Sequence, residues 1–541
     1  MKKILIYFGL VCTAAITGCT KDFDSINTDP TKASATSFNA NLLLPTAEIN
    51  YVSAITGYNG AVLLQSMWIQ TLANAEYPTY YSNGDKYVAS GNILSYDASV
   101  WSVGYGNAGT NTQEIINLTK GNTGLSNLSG IATIFQLMIL ELETDVYGDV
   151  PYSQALQGKS GLTQPVYDKQ QAIYPAMLNS LDSVITTLDA TKALPTNDII
   201  YKGNIASWKK FGYSLMLRMA MRLTKVDATT AQKYVLKAVA GGTFASNADN
   251  AYITLDQADG YSNNNVSALQ TAEDYAQVRW GKGLISYLKT ANDPRLGVIA
   301  EVSKQGSTNN ANESLDGDHT IANQIGMPNG YDQNGGATDI SKEPNFPGIQ
   351  AADPTIANDG TAKVGKYSRP TTAIYVRNKN TPAFILTYAE TELLLAEAAV
   401  RGWSVGATAS VHYANALSGA IQSIGTFNTA GTISAATATA FATSAPLDVS
   451  STTNSLAQIN TQFWVTTGTL FNFVEAWNNW RRSGYPVLTP VNYTGNFSSG
   501  AIPRRQLYPS TEPSLNPTNY STAVSNLTGG DNWTSRVWWD K

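Results

Sequence analysis

Residues 381–403 (TPAFILTYAETELLLAEAAVRGW) restrict the fold strongly, because their pattern indicates a buried helix. Thr381 is a good N-cap, Pro382 suits the first helical position, and Gly402 is a typical left-handed stop. Apolar and small side chains recur at helical spacing between these ends. This stripe consists of Leu386, Ala389, Leu393, Ala396 and Val400. We therefore predict a helical protein in which small residues let neighbouring helices pack closely.

The carboxylates of this segment fall on different faces of the predicted helix. Glu397 and Arg401 are four residues apart, which favours an ion pair on the exposed face. Glu392 lies at the edge of the apolar stripe, where a carboxylate needs a partner. We expect a structural ion pair with Arg481 or Arg482, and a catalytic role for Glu392 is the alternative.

The N-terminus indicates where the protein resides. An apolar run at residues 4–16 is too short to span a bilayer and ends in Ile-Thr-Gly-Cys, a lipobox. We predict a lipoprotein signal peptide at residues 1–18, lipidation of Cys19 and a polar tether at residues 19–36. The alternative is a plain secretory signal with an incidental cysteine. Cys12 is the only other cysteine and lies in the signal, so no disulfide or thiol chemistry is expected.

Composition narrows the classes of function. The formal net charge is −5 and only 14% of residues are charged, so nothing predicts a basic face for nucleic acid. The 29 tyrosines and 11 tryptophans are many, and with Asn and Asp they suit the flat faces and hydroxyls of sugar rings. No cofactor or metal ligand set is predicted. We expect a binding protein, and a two-carboxylate glycosidase is the rival class.

Helical signals alternate with short connectors along most of the chain. The predicted helices are 60–72, 112–118, 131–146, 170–188, 205–223, 228–239, 407–424 and 469–482. Their pairing resembles that of tetratricopeptide-type repeats and predicts an all-α, tetratricopeptide-like fold of helix pairs with large irregular loops. We predict a single domain at residues 37–541, with loop insertions at about 241–377 and 425–453. No further apolar run is expected to cross a membrane.

Three motifs look catalytic or metal-binding but lack the required context. Residues 402–406 match G-x-S-x-G, which needs a strand–turn–helix elbow and a histidine base. Residues 104–109 match G-x-G-x-x-G without the flanking strand of a dinucleotide fold. The acidic loops 256–260 and 316–318 do not complete a calcium-binding loop, so we interpret them as solvated.

The aromatic residues of the polar, glycine-rich stretch 73–109 are the candidate ligand platforms. They are Tyr77, Tyr80, Tyr81, Trp101 and Tyr105. In the loop insertion at about 241–377, which we call the second long loop, Tyr261 with Asn263, Asn264 and Asn265 could supply hydrogen-bond partners for sugar hydroxyls. An oligosaccharide is the favoured ligand, and an extended peptide held by backbone hydrogen bonds is the alternative. Burial in the core is the competing interpretation for each aromatic residue.

Several motifs occur in an order that resembles the SusD/RagB family of Bacteroidetes outer-membrane lipoproteins, in its SusD-like branch. They are the lipobox, 27–30 (NTDP), 145–152 (DVYGDVPY), 388–403 (YAETELLLAEAAVRGW), 475–486 (EAWNNWRRSGYP), 502–505 (IPRR), 508–509 (YP) and 536–540 (RVWWD). The resemblance covers essentially the whole chain after the signal peptide.

The resemblance implies a fold and a role. It implies an all-α superhelix with large loops, attached by lipid to the outer membrane and exposed at the cell surface. It implies a SusC-like TonB-dependent transporter as partner, to which the lipoprotein delivers a nutrient oligomer. The shared motifs look like scaffold motifs, so they transfer no ligand residues.

Overall fold

Helices pack side by side along the chain. The computed structural model describes residues 38–541 except 90, 270–276, 304–316, 351–362 and 379. Its longer α-helices are α1 (Leu44–Ile55), α2 (Gly109–Thr119), α3 (Ser126–Tyr147), α4 (Gln170–Thr187), α5 (Ile205–Arg222), α6 (Ala228–Gly241), α7 (Lys282–Thr290), α8 (Tyr388–Val400), α9 (Ala409–Ser423), α10 (Ala435–Ser444), α11 (Thr452–Thr469), α12 (Phe473–Ser483) and α13 (Pro517–Ser525). Consecutive helices contact each other in pairs, as in α2–α3, α5–α6 and α8–α9. The prediction of an all-α fold is confirmed.

Short elements join these helices. The strands are β1 (Leu72–Asn74), β2 (Ala251–Asp256), β3 (Val278–Trp280), β4 (Ala300–Glu301), β5 (Arg369–Pro370) and β6 (Asn380–Leu386). They form the antiparallel pairs β1–β3, β2–β6 and β4–β5. Short helical turns include Tyr58–Gln65, Ser66–Trp68, Ile93–Asp97, Ser99–Val103, Gly104–Ala108, Asn264–Ala268 and Glu512–Leu515.

Helix α3 runs through the core. With the turn before it, the segment Thr123–Tyr147 is long and apolar enough to cross a membrane, contrary to our expectation. However, 72% of its most apolar window is buried inside the protein, as in the core helix of a soluble domain. Its apolar character is therefore explained by contacts with α2 and α4.

A buried network of charges joins α3 to α5 and α12. The Arg222 side chain lies 3.1 Å from Asp145 and 2.6 Å from Glu475, and none of the three is appreciably exposed. Arg218, one turn earlier, pairs with Glu390 of α8 at 2.6 Å. Buried charges need such partners, because a lone ion in the interior is strongly destabilising.

The C-terminal region completes this network. The Trp539 indole donates a hydrogen bond to Asp145 at 2.9 Å. The Arg481 guanidinium lies 3.6 Å from the Trp477 ring centroid and 4.7 Å from that of Trp539. Segments 145–152, 475–486 and 536–540, which carried the resemblance, thus meet in one interior cluster, which agrees with their interpretation as scaffold.

The helix predicted at residues 381–403 begins later than expected. Residues up to Leu386 form strand β6, and α8 begins at Tyr388 with Thr387 as its cap. The Thr387 hydroxyl accepts a hydrogen bond from the Glu390 amide at 3.1 Å. The sequence alone did not show that β2 is available to pair with β6. The left-handed stop at Gly402 is confirmed by its φ of +81°.

Two other predicted segments differ from the structure. The single helix expected at residues 469–482 is in fact two helices, because residue 469 ends α11 and the rest belongs to α12. The helical conformation is interrupted between them at Phe471, which has a φ of +59°. The stretch 425–453 is not all loop, because it contains α10. The stretch 241–377 likewise contains β2–β5 and α7.

Glu392 and Glu397, the two carboxylates discussed for α8, differ from the prediction in their partner or in their burial. Glu392 contacts Nδ1 of His412 at 2.9 Å and accepts a hydrogen bond from Asn415 at 3.1 Å, so the expected arginine partner is wrong. Arg482 instead binds Glu397, at 2.7 Å. Glu397 also pairs with Arg401 as predicted, but its side chain is buried rather than on an exposed face.

Candidate ligand-binding site

Four tyrosine rings cluster around Trp101. The ring centroids of Tyr105 and Tyr147 lie 4.7 Å and 5.4 Å from that of Trp101. Tyr167 stacks on Trp101 at 5.8 Å, and Tyr508 meets its edge at 6.2 Å. Such offset and edge-to-face contacts are favourable and fix each ring by its neighbours. Trp101 itself remains half-exposed.

Two consecutive short helical segments position Trp101 and Tyr105. Trp101 lies on the short helix Ser99–Val103, which continues through the turn Gly104–Ala108 into α2. A Cβ at Gly104 would lie 1.7 Å from a carboxylate oxygen of buried Glu143, so any larger residue there would require the Glu143 side chain to move. The Tyr105 hydroxyl donates to the carbonyl of Pro151 at 2.6 Å, which fixes the orientation of this ring.

Trp101 and Tyr105 line a pocket of about 360 Å³. Its remaining walls are formed by Thr110, Gln113, Glu114, Asn117, Pro151, Ala155, Leu156, Gly158, Lys159, Thr163, Pro165, Glu512, Leu515 and Asn516. This volume lies in the range of small-molecule sites, which combine apolar walls with a few polar groups. The pocket therefore offers two aromatic faces beside amide and charged groups.

Hydrogen bonds organise the polar side of the pocket. Gln113 donates to the Asn117 side chain at 3.0 Å, and Asn516 donates to the Pro165 carbonyl at 2.7 Å. The Lys159 ammonium lies 2.6 Å from Glu114, and its side chain is 76% exposed. An exposed pair of this kind contributes little to stability, so both groups are available to a ligand.

The tyrosines around the pocket stay neutral. Burial raises the pKa of the Tyr105 and Tyr508 hydroxyls well above the usual value. Burial also raises the pKa of Tyr167, and its hydrogen bond to Glu512 raises it further. The rings therefore present uncharged faces, and the formal charges at the pocket are those of Glu114, Lys159 and Glu512.

The other three aromatic candidates lie outside this pocket. The Tyr81 ring is fully buried, so it offers no face to a ligand, and Tyr80 packs on it at 5.1 Å between centroids. Tyr77 is half-buried and contacts Tyr493 at 5.1 Å. The structure therefore unites Trp101 with Tyr105 and places the remaining three elsewhere.

The candidates of the second long loop also differ in exposure and in hydrogen-bond partners. Tyr261 is 49% exposed and lines a separate cleft. The buried amides of Asn263 and Asn265 donate to the carbonyls of Pro382 and Phe471, both at 2.9 Å. Asn264 is half-buried at the start of a short helix. Asn263 and Asn265 thus have structural partners.

Sequence reasoning missed Tyr167 and Tyr508 of the ring cluster around Trp101, and Glu512 of the pocket wall. Tyr167 and Glu512 share a hydrogen bond, and Tyr508 donates to the Asp149 carbonyl at 2.6 Å. These residues come from a connector and from the proline-rich C-terminal part of the chain. The repeated prolines there indicated loop structure, but nothing in their spacing indicated proximity to Trp101.

The motifs set aside at the sequence level remain without catalytic context. Ser404 lies exposed in the connector between α8 and α9. His412 is buried and contacts Glu392. Among the residues that the structure describes, no group of three His, Cys, Asp or Glu side chains could hold a metal ion. Asp316 and Cys19 lie outside those residues.

Comparisons with known proteins show what the chain is similar to. A family model named SusD-like, described as starch-binding and associating with the outer membrane, matches residues 32–509. A search of curated proteins found no match.

Solved structures share the fold over nearly the whole chain. One named a chitin-binding protein has 29% sequence identity and a TM-score of 0.74, covering 93% of this chain and 100% of its own. A chitin-binding SusD homologue from Flavobacterium johnsoniae has 22% identity and a TM-score of 0.68, covering 93% and 97%. A SusD homologue from Bacteroides uniformis has 24% identity and a TM-score of 0.71, covering 92% and 99%.

Proposed function

The chain belongs to the SusD-like family, whose members associate with the outer membrane, and from this we propose that it is a nutrient-binding lipoprotein of the cell surface. In this proposal it captures an oligosaccharide and delivers it to a SusC-like TonB-dependent transporter. The lipid on Cys19 holds it to the outer membrane. It binds its ligand without turning it over.

The Trp101 pocket is the observation that carries the choice of ligand. A half-exposed indole, with Tyr105 at 4.7 Å, presents a flat apolar surface beside Gln113 and Asn117. The C–H face of a sugar ring packs on such a surface, while amides bond to its hydroxyls. An extended peptide would depend more on hydrogen bonds to main-chain groups of the protein. The side chains of this pocket do not supply such groups.

The similar proteins suggest which glycans to test first. The relative of known structure with 29% identity is named a chitin-binding protein, so chitin oligomers are the first ligands to test. The family description names starch, so maltooligosaccharides are the second series. We propose that the protein binds a glycan of this general class, and the binding measurement identifies the sugar.

A binding experiment tests the proposal. A soluble form that begins after Cys19 is applied to a glycan and peptide array, and the hits are measured by calorimetry. We expect Trp101→Ala to weaken glycan binding by about 1–3 kcal/mol, by analogy with stacking of bases on aromatic rings. Trp101→Phe retains a flat ring and should lose less.

Trp403→Ala is the matched control, because Trp403 is also a half-buried tryptophan but does not line the pocket. It should bind the glycan normally. The proposal is wrong if only peptides bind, or if the Trp101→Ala and Trp403→Ala proteins bind the sugar equally well. Release of new reducing ends in proportion to protein, abolished by one carboxylate substitution, would indicate the rival glycosidase.

A further inference from the structure

Strand β2 has one paired edge and one free edge. It pairs antiparallel with β6, and no other described strand joins it. Along β2 the side chains of Ala251, Ile253 and Leu255 are buried, whereas Tyr252 is half-buried and Thr254 is exposed. A strand edge of this kind is a template for pairing with another extended chain.

The register shows which main-chain groups face the free edge. Thr254 lies opposite Pro382, which has no N–H to donate, so this is a non-hydrogen-bonded pair. The Pro382 carbonyl accordingly points away from β2 and accepts a hydrogen bond from Asn263 at 2.9 Å. By the same alternation the N–H and C=O groups of Thr254 and Tyr252 point away from β6.

This edge opens into a cleft of about 500 Å³, separate from the Trp101 pocket. Its lining includes Tyr252, Tyr201 and the 49% exposed Tyr261, whose rings can contact the side chains of an added strand. Thr254 also lines the cleft and is exposed. The cleft therefore combines unpaired main-chain groups with aromatic side walls.

The two ends of the cleft carry opposite charges. Tyr201 bonds to the carbonyl of Asp249, just before β2, and so places the exposed Lys202 near the start of the strand. Asp256 and the exposed Asp259 lie at the other end and also line the cleft. A strand that pairs antiparallel with β2 would bring its N-terminal residues to the acidic end.

We propose that the free edge of β2 binds an extended segment of a partner polypeptide as an added antiparallel strand. Basic residues at the N-terminal end of that segment lie against Asp256 and Asp259. The main-chain groups of Tyr252 and Thr254 repeat every two residues, about 6.8 Å apart, which is the repeat of another extended chain. The proposal does not depend on the ligand of the Trp101 pocket.

Synthetic peptides of about nine residues test this, since strands are usually of 5–6 residues. One begins with two lysines followed by alternating threonine and valine, and a second carries two glutamates instead. Fluorescence anisotropy with the soluble protein measures their affinity. We expect the lysine peptide to bind more tightly than the glutamate peptide. A version N-methylated at every threonine and valine has no N–H left at either strand edge and should lose about tenfold or more, the equivalent of one to two hydrogen bonds.

Protein variants locate the site. Thr254→Pro removes an N–H that faces the cleft and not β6, so β2 keeps its pairing, as prolines at strand edges do. It should lose peptide binding about tenfold. Thr254→Val keeps the N–H and should bind as before, and Trp101→Ala should leave peptide affinity unchanged.

The proposal is overturned if neither peptide binds, or if the N-methylated peptide binds as well as its parent. It is also overturned if Thr254→Pro abolishes glycan binding instead, because the cleft would then be a sugar site. Thermal melting shows whether Thr254→Pro is folded. If it is not, the comparison between the methylated and unmethylated peptides decides alone.

Discussion

At the scale of single residues, Glu397 shows how the interior fixes a charge. Burial alone would raise its pKa, but attraction and hydrogen bonds from Arg482 and Arg401 outweigh burial and lower the pKa to about 2. Because the folded pKa lies below the ordinary value of 4.5, this carboxylate stabilises the fold above that value. The contribution is lost as the pH falls from about 4.5 through 2.

We predict that Glu397→Gln lowers the free energy of unfolding at pH 7 by about 3–5 kcal/mol, because it leaves Arg482 buried without a countercharge. Urea unfolding measured between pH 7 and pH 3 should also show a weaker loss of stability with acid in the variant. Asp182→Asn is the control, since its pair with Lys237 is partly exposed and should be worth about 0–1 kcal/mol. Equal effects of the two substitutions would contradict the prediction.

The predictability of single contacts from the sequence was uneven, and Glu392 and Trp101 show why. The need of Glu392 for a partner followed from its place on the helical stripe, and the structure supplies His412 and Asn415. The identity of that partner depended on how α9 packs against α8, which helical spacing does not encode. Trp101 and Tyr105 were predicted as ligand platforms from their polar surroundings and line one pocket, yet Tyr81, predicted on the same grounds, is buried.

At the scale of elements, Phe471 separates α11 from α12 in a left-handed conformation, with φ +59°. Its ring stacks on Tyr375 at 4.5 Å and contacts Phe473 at 5.1 Å. We predict that Phe471→Gly destabilises the protein by about 3 kcal/mol or more, because lost packing exceeds a relieved strain of about 1–2 kcal/mol.

Ser499→Gly is the contrasting variant, because Ser499 is exposed at φ +53° and has little packing to lose. It should raise the melting temperature slightly or leave it unchanged. Thermal unfolding of both variants measures the difference. A Phe471→Gly protein more stable than the wild type would show that strain outweighs packing at this break.

Element types were predicted well where a helix had its own caps and a long apolar stripe. The predicted helix 205–223 corresponds to α5, Ile205–Arg222, and 407–424 to α9, Ala409–Ser423. The exceptions were decided by distant partners. Residues 381–386 have an apolar pattern that suits a helix, but β2, more than a hundred positions away, makes them a strand.

At the scale of the whole molecule, the proposed attachment of the protein to the membrane depends on Cys19. We predict that the wild-type protein is found in the outer-membrane fraction and is cut by protease added to intact cells. Cys19→Ala should move it to a soluble fraction, because the lipid anchor is lost. A Cys19→Ala protein still held in the outer membrane, or a wild type resistant until lysis, would contradict this placement.

Asp145 and Trp539 are hydrogen-bonded although 394 positions separate them, and this has a consequence for how the polypeptide matures. In a chain made from its N-terminus, Arg481 lacks one of its two stacking rings until Trp539 has been added. The interior cluster is complete only after residues 536–540 have joined it. A product cut short by a few residues at that end would lose the indole that donates to Asp145 and stacks on Arg481, so we expect it to be less stable and to be degraded more readily.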